Sequence, residues 1–350
     1  MELNSQPAGV NKEVDMDRSI TWKRYFRQWG ALIILGGLIL AGIIYYYLKD
    51  PVITEAVLAS AVRHATPLVL GAMCGLIGER AGIINIGIEG QMLLSAFVGF
   101  LVNAWTGNLP AAVFSGIAVG ALLGLLLAFM SVTLKVDQII GGTVINIIAV
   151  GLTGYFYQAG LTTEGKLAPI ALGKLAEIPI IGRALFNNPP ITYAAIVLVF
   201  VVHYVLFFTK WGLRTRAVGE HPRAADTVGI NVFKMRYINV IIGGAIAGLA
   251  GVFLTLEAVG SFERLMTNGR GFVALAVMIF GKWTPLGSWG AALLFGITSA
   301  IQTQIQFAGV IDIPHQFIGI LPYLLTIVVL AGAVGRSRPP AAEGIPYEKE

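Results

Sequence analysis

Residues 79–91 read ERAGIINIGIEGQ. They stand between an apolar run at 56–78 and a second that resumes at 85 and continues to 104. Glu79, Arg80, Asn85, Glu89 and Gln91 fall within this stretch, alongside Gly82, Gly87 and Gly90. Each glycine costs a helix about 1 kcal/mol relative to alanine, so three together argue against an unbroken helix. The flanking runs are long enough to cross a bilayer core, which takes about 20 residues. The stretch therefore reads as the turn between two membrane spans, the second of them half-broken where it starts. Glu79 and Arg80 read as an interfacial ion pair. Glu89 is costly near a membrane face without a partner or water. With Asn85 it marks either the mouth of a pathway or a turn held open by its own polar groups.

Outward from there the same pattern repeats. Apolar runs cover approximately 31–48, 56–78, 85–104, 111–134, 138–159, 191–209, 237–259, 271–281, 285–307 and 315–333. Of the 350 residues 56% are apolar and 12% charged, with a mean hydropathy of +0.77. A soluble domain carries about 45–50% apolar and roughly 25% charged residues. The expected fold is an all-α integral membrane protein of about ten transmembrane helices. Run 271–281 is too short to span alone and must be shielded by its neighbours. Paired glycine-rich interruptions at 78–90 and 281–290 suggest two pseudo-repeated halves with broken spans. The pieces between runs are too short for a soluble domain, which excludes a built-in ATPase, a secreted enzyme or a large receptor head.

The net charge of +5 does not point to nucleic acid, because the basic residues sit in short segments between apolar runs. An inside location of both termini places 17 of the 24 Lys and Arg residues on the cytoplasmic side. That divides the chain into a cytoplasmic tail at 1–30, a membrane domain at 31–333 and a second cytoplasmic tail at 334–350. The membrane domain carries an external loop at 160–190 and a basic cytoplasmic loop at 210–236. Gly116, Gly120 and Gly124, like Gly244 and Gly248, fall at the four-residue spacing that lets helix backbones approach closely.

The basic loop contains a short capped helix. Pro222 suits a first helical position, and Gly229 suits the residue just past the last turn. Arg223, Ala224, Ala225 and Asp226 lie between them, in about two turns with two alanines on the surface. Such a helix is too short to stand alone in water and is suited to docking in another protein's groove.

Four segments resemble those of one family. They are the stretch 79–91 continued to Met92, Val136-Asp137-Gln138 through Asn146, Arg216 through Ile230, and Gly281-Lys282-Trp283-Thr284-Pro285-Leu286-Gly287. Together they resemble permease subunits of bacterial ABC importers for nucleosides and simple sugars, within the larger group of branched-chain amino acid and ribose permeases. The likeness runs from about 56 to 333. It implies a bacterial plasma-membrane subunit paired with a second permease, homo- or heterodimeric, a cytoplasmic ABC ATPase pair and an external substrate-binding protein. ATP and Mg would be bound by the ATPase, and no cofactor by this chain. Glu220, Pro222, Arg223, Ala224, Ala225, Asp226 and Gly229 would then form the ATPase-coupling element.

Within the spans, Asn146 is the first candidate for solute contact, with Asn85 and Glu89 beside it. An amide both donates and accepts, which suits a cargo of hydroxyls and ring nitrogens. Glu257 lies close to the outer end of its span and reads as interfacial or engaged with the binding protein. No G-x-x-x-x-G-K-[ST], H-E-x-x-H or G-x-S-x-G occurs, and Cys74 is the single cysteine, so no catalytic or metal site is expected. The alternative, an ion-gradient-driven transporter of small polar solutes, explains the polar groups in the spans but not the capped helix.

Overall fold

The computed structural model describes residues 41–308 and 338–349, together with Gly37 and Ile320. Two compact units divide the chain, residues 1–45 and 46–350. The described residues 41–45 of the first are helical. The second is a helical bundle. Its elements are α1 (Pro51–Glu79), α2 (Ile88–Thr106), α3 (Leu109–Ala128), α4 (Gln138–Phe156), α5 (Gly182–Phe186), α6 (Pro190–Phe208), α7 (Lys210–Glu220), α8 (Pro222–Thr227), α9 (Val232–Val252), α10 (Arg270–Phe280) and α11 (Pro285–Ala308). Single π turns, Phe129–Thr133 and Phe253–Val259, extend α3 and α9.

Six helices among the described residues are long and apolar enough to cross a membrane: α1, α2, α3, α4, α6 and α9, with the two π turns counted in. Helix α10 is apolar but has only 11 residues, as its short run predicted. All eight middle runs are helical. Run 31–48 is described only at residues 37 and 41–48. Run 315–333, apart from Ile320, and the tail 1–30 lie outside the described residues.

Helices α1 and α9 are buried through most of their length, and α2, α10 and α11 pack around them. Leu70, Met73, Leu76, Ile88, Met92 and Leu256 are among the largest fully buried side chains. In lipid, one apolar helix gains little by touching another except through close van der Waals fit. The glycines supply that fit where α3 crosses α9. A Cβ on Gly120 would stand 2.7 Å from Gly248 Cα, and one on Gly124 would stand 2.6 Å from Val240 O. By contrast α4 and α6 leave Ile147, Tyr155, Phe200 and Tyr204 exposed, as befits helices facing lipid or another subunit.

The helices start in two different ways. Asp50, Asn108, Asp137, Thr209 and Asn231 each accept a hydrogen bond from a first-turn amide of α1, α3, α4, α7 and α9. These are local caps, of the residue types that favour the position. Helices α2, α6 and α10 instead follow Gly87, Pro189 and Gly269, none of which offers a capping side chain. Their first-turn amides must find acceptors elsewhere.

The connections gather at two ends. Residues 80–84, 134–137, 209–231, 281–284 and 338–349 share one end, with Gly344 N–H donating to Gly82 O and Ala342 N–H to Gly219 O. At the other end, the loop after α4 bonds through Leu167 N–H to Leu256 O and through Thr163 to Gly260 O. It contains a two-residue antiparallel pair, Ile170–Ala171 against Asn187–Asn188.

Candidate functional site

Helix α2 starts late. The chain leaves α1 at Glu79 and passes through 80–87 without regular structure, resuming as helix only at Ile88. Ile88 packs against Gly71 and Gly75 of α1, one to two turns before α1 ends, so α2 begins inside the bundle. A backbone end there cannot use lipid as an acceptor, and each unsatisfied group costs several kcal/mol.

Asn146 of α4 fills the gap. Gly90 N–H donates to its Oδ1 at 2.7 Å, and its Nδ2 donates to Ile86 O at 3.1 Å. The approach is backbone-close: a Cβ on Gly142 would stand 2.7 Å from Gly87 N. One turn before, Gln138 Oε1 accepts from Ile84 N–H at 2.7 Å. The segment 136–146 is thus a clamp on 84–90. Asp137 starts its helix, while Gln138, Gly142 and Asn146 lie along the face turned to α2.

Glu89, in the first turn of α2, does the same for α10. Its Oε1 accepts from Gly269 N–H at 2.7 Å and its Oε2 from Gly271 N–H at 2.6 Å. A carboxylate suits a helix N-terminus, because the aligned peptide dipoles leave partial positive charge there. Glu257, in the π turn after α9, repeats the device on α6, accepting from Ile191 N–H at 2.8 Å, Thr192 N–H at 3.2 Å and the Thr192 hydroxyl. Glu257 is buried in that role rather than lying at the interface. Asn85 is also buried; its Nδ2 donates to Gln91 Oε1 at 3.0 Å and Cys74 Sγ at 3.3 Å. Asn85 Oδ1 and Gln91 Nε2 have no partner among the described residues.

Toward the loop end, the other two segments join. Glu79 and Arg80 do not meet each other as expected; both reach Trp283. Trp283 Nε1–H donates to Glu79 Oε2 at 2.5 Å, while Arg80 Nε and Nη2 donate to Trp283 O at 3.0 and 2.7 Å. Neighbouring residues on a chain ending its helix point apart, so a partner from the 281–284 turn holds both. Burial keeps the Arg80 guanidinium below its usual pKa; Glu220 opposes that shift and Arg216 adds to it. Gly219 of α7 lies against Arg80 O too tightly for any side chain. The other three segments singled out in the sequence therefore converge on 79–91.

The basic loop is more structured than its sequence suggested. Residues Lys210–Glu220 form α7, and α8 follows at Pro222–Thr227 with Pro222 in its first turn. Gly229 has φ +85°; its N–H donates to Asp226 O, and Ile230 N–H donates to Ala225 O. This paired closure leaves the chain in a left-handed residue that only glycine adopts at no cost. The two alanines do not share a surface. Ala224 is exposed, but Ala225 is 3% exposed and packs with Val218, Val232 and Tyr347. Adjacent residues on a helix are about 100° apart, so one faces the partner side and one the core. Val228, 74% exposed, adds an apolar contact on the outer side. Of the remaining loop residues, Arg223 is exposed, Glu220 Oε2 accepts from Ala341 N–H at 3.2 Å, and Asp226 lies 3.6 Å from Lys349 Nζ.

Two features go beyond the sequence expectations: Glu257 caps α6 instead of standing at the interface or meeting a binding protein, and residues 338–349, expected as a tail, are built into the loop end. Among the described residues no three His, Cys, Asp or Glu side chains come together as metal ligands.

Comparison with known proteins identifies the family. The family model for the branched-chain amino acid transport system / permease component matches residues 57–330. The guanosine ABC transporter permease protein NupQ of Bacillus subtilis is 39% identical, over 85% of this chain and 98% of its own length. The nucleoside ABC transporter permease protein NupC of Lactococcus lactis is 37% identical over 84% of this chain and 97% of its own. The glucose ABC transporter permease protein TsgB13 of Haloferax volcanii is 24% identical over 92% of each chain.

Proposed function

This chain belongs to the permease-component family of branched-chain amino acid transport systems, and from that membership we infer that it forms the translocation pathway of an importer for nucleosides or related simple sugars. It is a multi-pass, non-catalytic membrane subunit of an ABC transporter, and that class works with an ATPase and a binding protein. In our reading ATP and Mg belong to the ATPase, and a second permease, identical or similar, supplies the other half of the pathway. Ten spans in two related halves, with 31–48 and 315–333 as the outermost, and cytoplasmic termini complete the proposal.

The observation that carries it is the hinge-like joint at 79–91. Asn146 and Glu89 hold the ends of two interrupted helices, α2 and α10, and Arg80 and Gly219 connect that joint to the loop bearing α8. We assign Asn146, Glu89 and Asn85 to the pathway as groups that set the position of those ends. Any direct contact of solute with Asn146 would have to displace Gly90 or Ile86 from its amide. We assign Pro222–Gly229, with Glu220, to ATPase docking, through Ala224, Arg223 and Val228 on the exposed side.

An ion-gradient carrier would not need a self-capped helix on a loop, and the relatives named as ABC permeases favour the ATP-driven reading. The test is uptake by the subunit reconstituted with its ATPase, second permease and binding protein. Labelled guanosine or uridine should accumulate only with ATP, and unlabelled leucine should not compete. Accumulation driven by an ion gradient without ATP, or uptake of leucine but no nucleoside or sugar, would overturn it.

A further inference from the structure

Residues 338–349 lie beyond the 57–330 matched by the family model, yet they are built into the loop end. After Pro339 and Pro340 the chain turns, with Glu343 N–H donating to Pro340 O at 3.1 Å and Ile345 N–H to Ala342 O at 3.3 Å. This turn sits between two other stretches of backbone. Ala342 N–H donates to Gly219 O at 2.9 Å, at the end of α7, and Gly344 N–H donates to Gly82 O at 3.2 Å, in the break between α1 and α2. The fit at Gly82 is tight, since a Cβ there would stand 2.9 Å from Ala342 O and its φ is +85°. The Glu343 carboxyl lies beside that of Glu79.

Side chains hold the rest of the segment. Arg236 of α9 is 1% exposed and donates from Nη1 to Ile345 O at 2.9 Å. Tyr347 is buried against Phe233, ring centroids 5.4 Å apart, in the same cluster as Ala225, Val218 and Met235. Glu348 pairs with Lys135 at 2.6 Å, and Lys349 with Asp226 at 3.6 Å. One short segment thus bonds to the α1–α2 break, the α3–α4 turn, the α7–α8 loop and the base of α9.

We propose that residues 338–349 act as a transmission strap, a positioning element that ties the ATPase-docking loop to the joint at 79–91. The proposal rests on the assignment of α8 to ATPase docking. Motion of α8 reaches the joint in two ways, through the Gly219–Arg80 contact and through the strap. The strap donates one amide to each side and inserts Tyr347 under Ala225, the inward face of α8. A push on α8 is therefore passed to Gly82, and from there to the start of α2, where Glu89 holds α10. Side-chain packing under α8 and backbone bonds to the break make this a stiff link, because buried packed elements transmit displacement with little compression.

The test uses the full importer in proteoliposomes with labelled guanosine, reading three quantities: ATPase retained on the permease, ATP hydrolysed, and guanosine accumulated. A chain ending at Arg338 and the point variant Tyr347→Ala should keep the ATPase bound while guanosine accumulated per ATP falls roughly tenfold or more, within the usual range of coupling between sites. Tyr347→Phe, which retains the ring, should restore the ratio. Where the shortened chain fails to accumulate in the membrane, Tyr347→Ala decides. A wild-type ratio in Tyr347→Ala would overturn the proposal, and so would loss of ATPase binding in that variant, which would make the segment a docking surface instead. Ala224→Glu separates this failure from that of the docking assignment. Retained ATPase binding in Ala224→Glu sinks the docking assignment. Lost binding there, with a wild-type ratio in Tyr347→Ala, sinks only the strap.

Discussion

The joint around 84–90 and the helix at 222–229 are both short, glycine-bearing departures from long helix, and they are stabilised in opposite ways. Helix α8 is closed by its own residues, Pro222 at the start and Gly229 at the end, and it turns Ala224 and Val228 outward. Helix α2 has no cap of its own and borrows Asn146 from α4, 56 residues away from Gly90; α10 borrows Glu89, 180 residues from Gly269. Water explains the contrast. A helix end in solvent needs only local chemistry to stop, because water takes the remaining groups. A helix end inside a bundle in lipid must be given acceptors by a neighbour. Asn146, Glu89 and Glu257 are therefore first of all caps for helix ends. An interrupted helix held by one amide or carboxylate is also where a pathway can move.

Changes at the joint should have the largest effect. Glu89→Leu removes both acceptors from the start of α10 and strands two amides, a cost of about 2–6 kcal/mol at about 1–3 each. Its thermal midpoint in detergent should fall well below wild type, and uptake should vanish; Glu89→Gln should fall between. An unchanged midpoint in Glu89→Leu would mean that other groups reach those amides.

Ala225→Glu should come next, by burying a charge under α8 against Val218 and Tyr347. A several-kcal/mol loss from an unpaired buried charge should appear as lower stability of the permease itself. Ala224→Glu, one residue away and exposed, should leave stability untouched and abolish ATPase co-purification. Equal behaviour of the two variants would break the distinction between the inner and outer faces of α8.

Gly229→Val should be smaller, roughly 1–2 kcal/mol for a β-branched residue forced to a left-handed φ. It should fray α8 and weaken ATPase binding without changing membrane insertion. The smallest effect belongs to Lys135→Gln, because its partner Glu348 is a solvent-exposed carboxylate, which that lysine holds below its ordinary pKa. Surface ion pairs contribute little and are screened by salt. Stability and uptake in this variant should match wild type, and a clear loss would assign Lys135 a role that its exposure does not suggest.

Much of this contrast was readable beforehand, and what was not has a physical reason. The apolar runs foretold every described helix long enough to cross a membrane, because in lipid a long apolar run has only one way to satisfy its backbone; the loop helices α5 and α7 lie outside those runs. Pro222 and Gly229 were legible as helix punctuation because their effect is local. The borrowed caps were not, since nothing local tells Asn146 that Gly90 is its donor, nor Glu257 that α6 starts beside it. The alanines of α8 illustrate the remaining error: two small residues in a row read as one face, while helical geometry gives one to the core. The strap was hidden for another reason. Residues 338–349 carry three prolines and no helical or strand pattern, and their structure comes from distant partners, the backbone bonds to Gly82 and Gly219 and the packing of Tyr347 on Phe233.

The most direct test of the borrowed-cap account is amide hydrogen exchange on the purified permease in wild type and in Asn146→Leu. Exchange at Gly90 should be slow in the wild type and faster in the variant, the change confined to residues 86–92, with none at 222–230. Fast exchange at Gly90 in the wild type, or equal protection in both proteins, would contradict it.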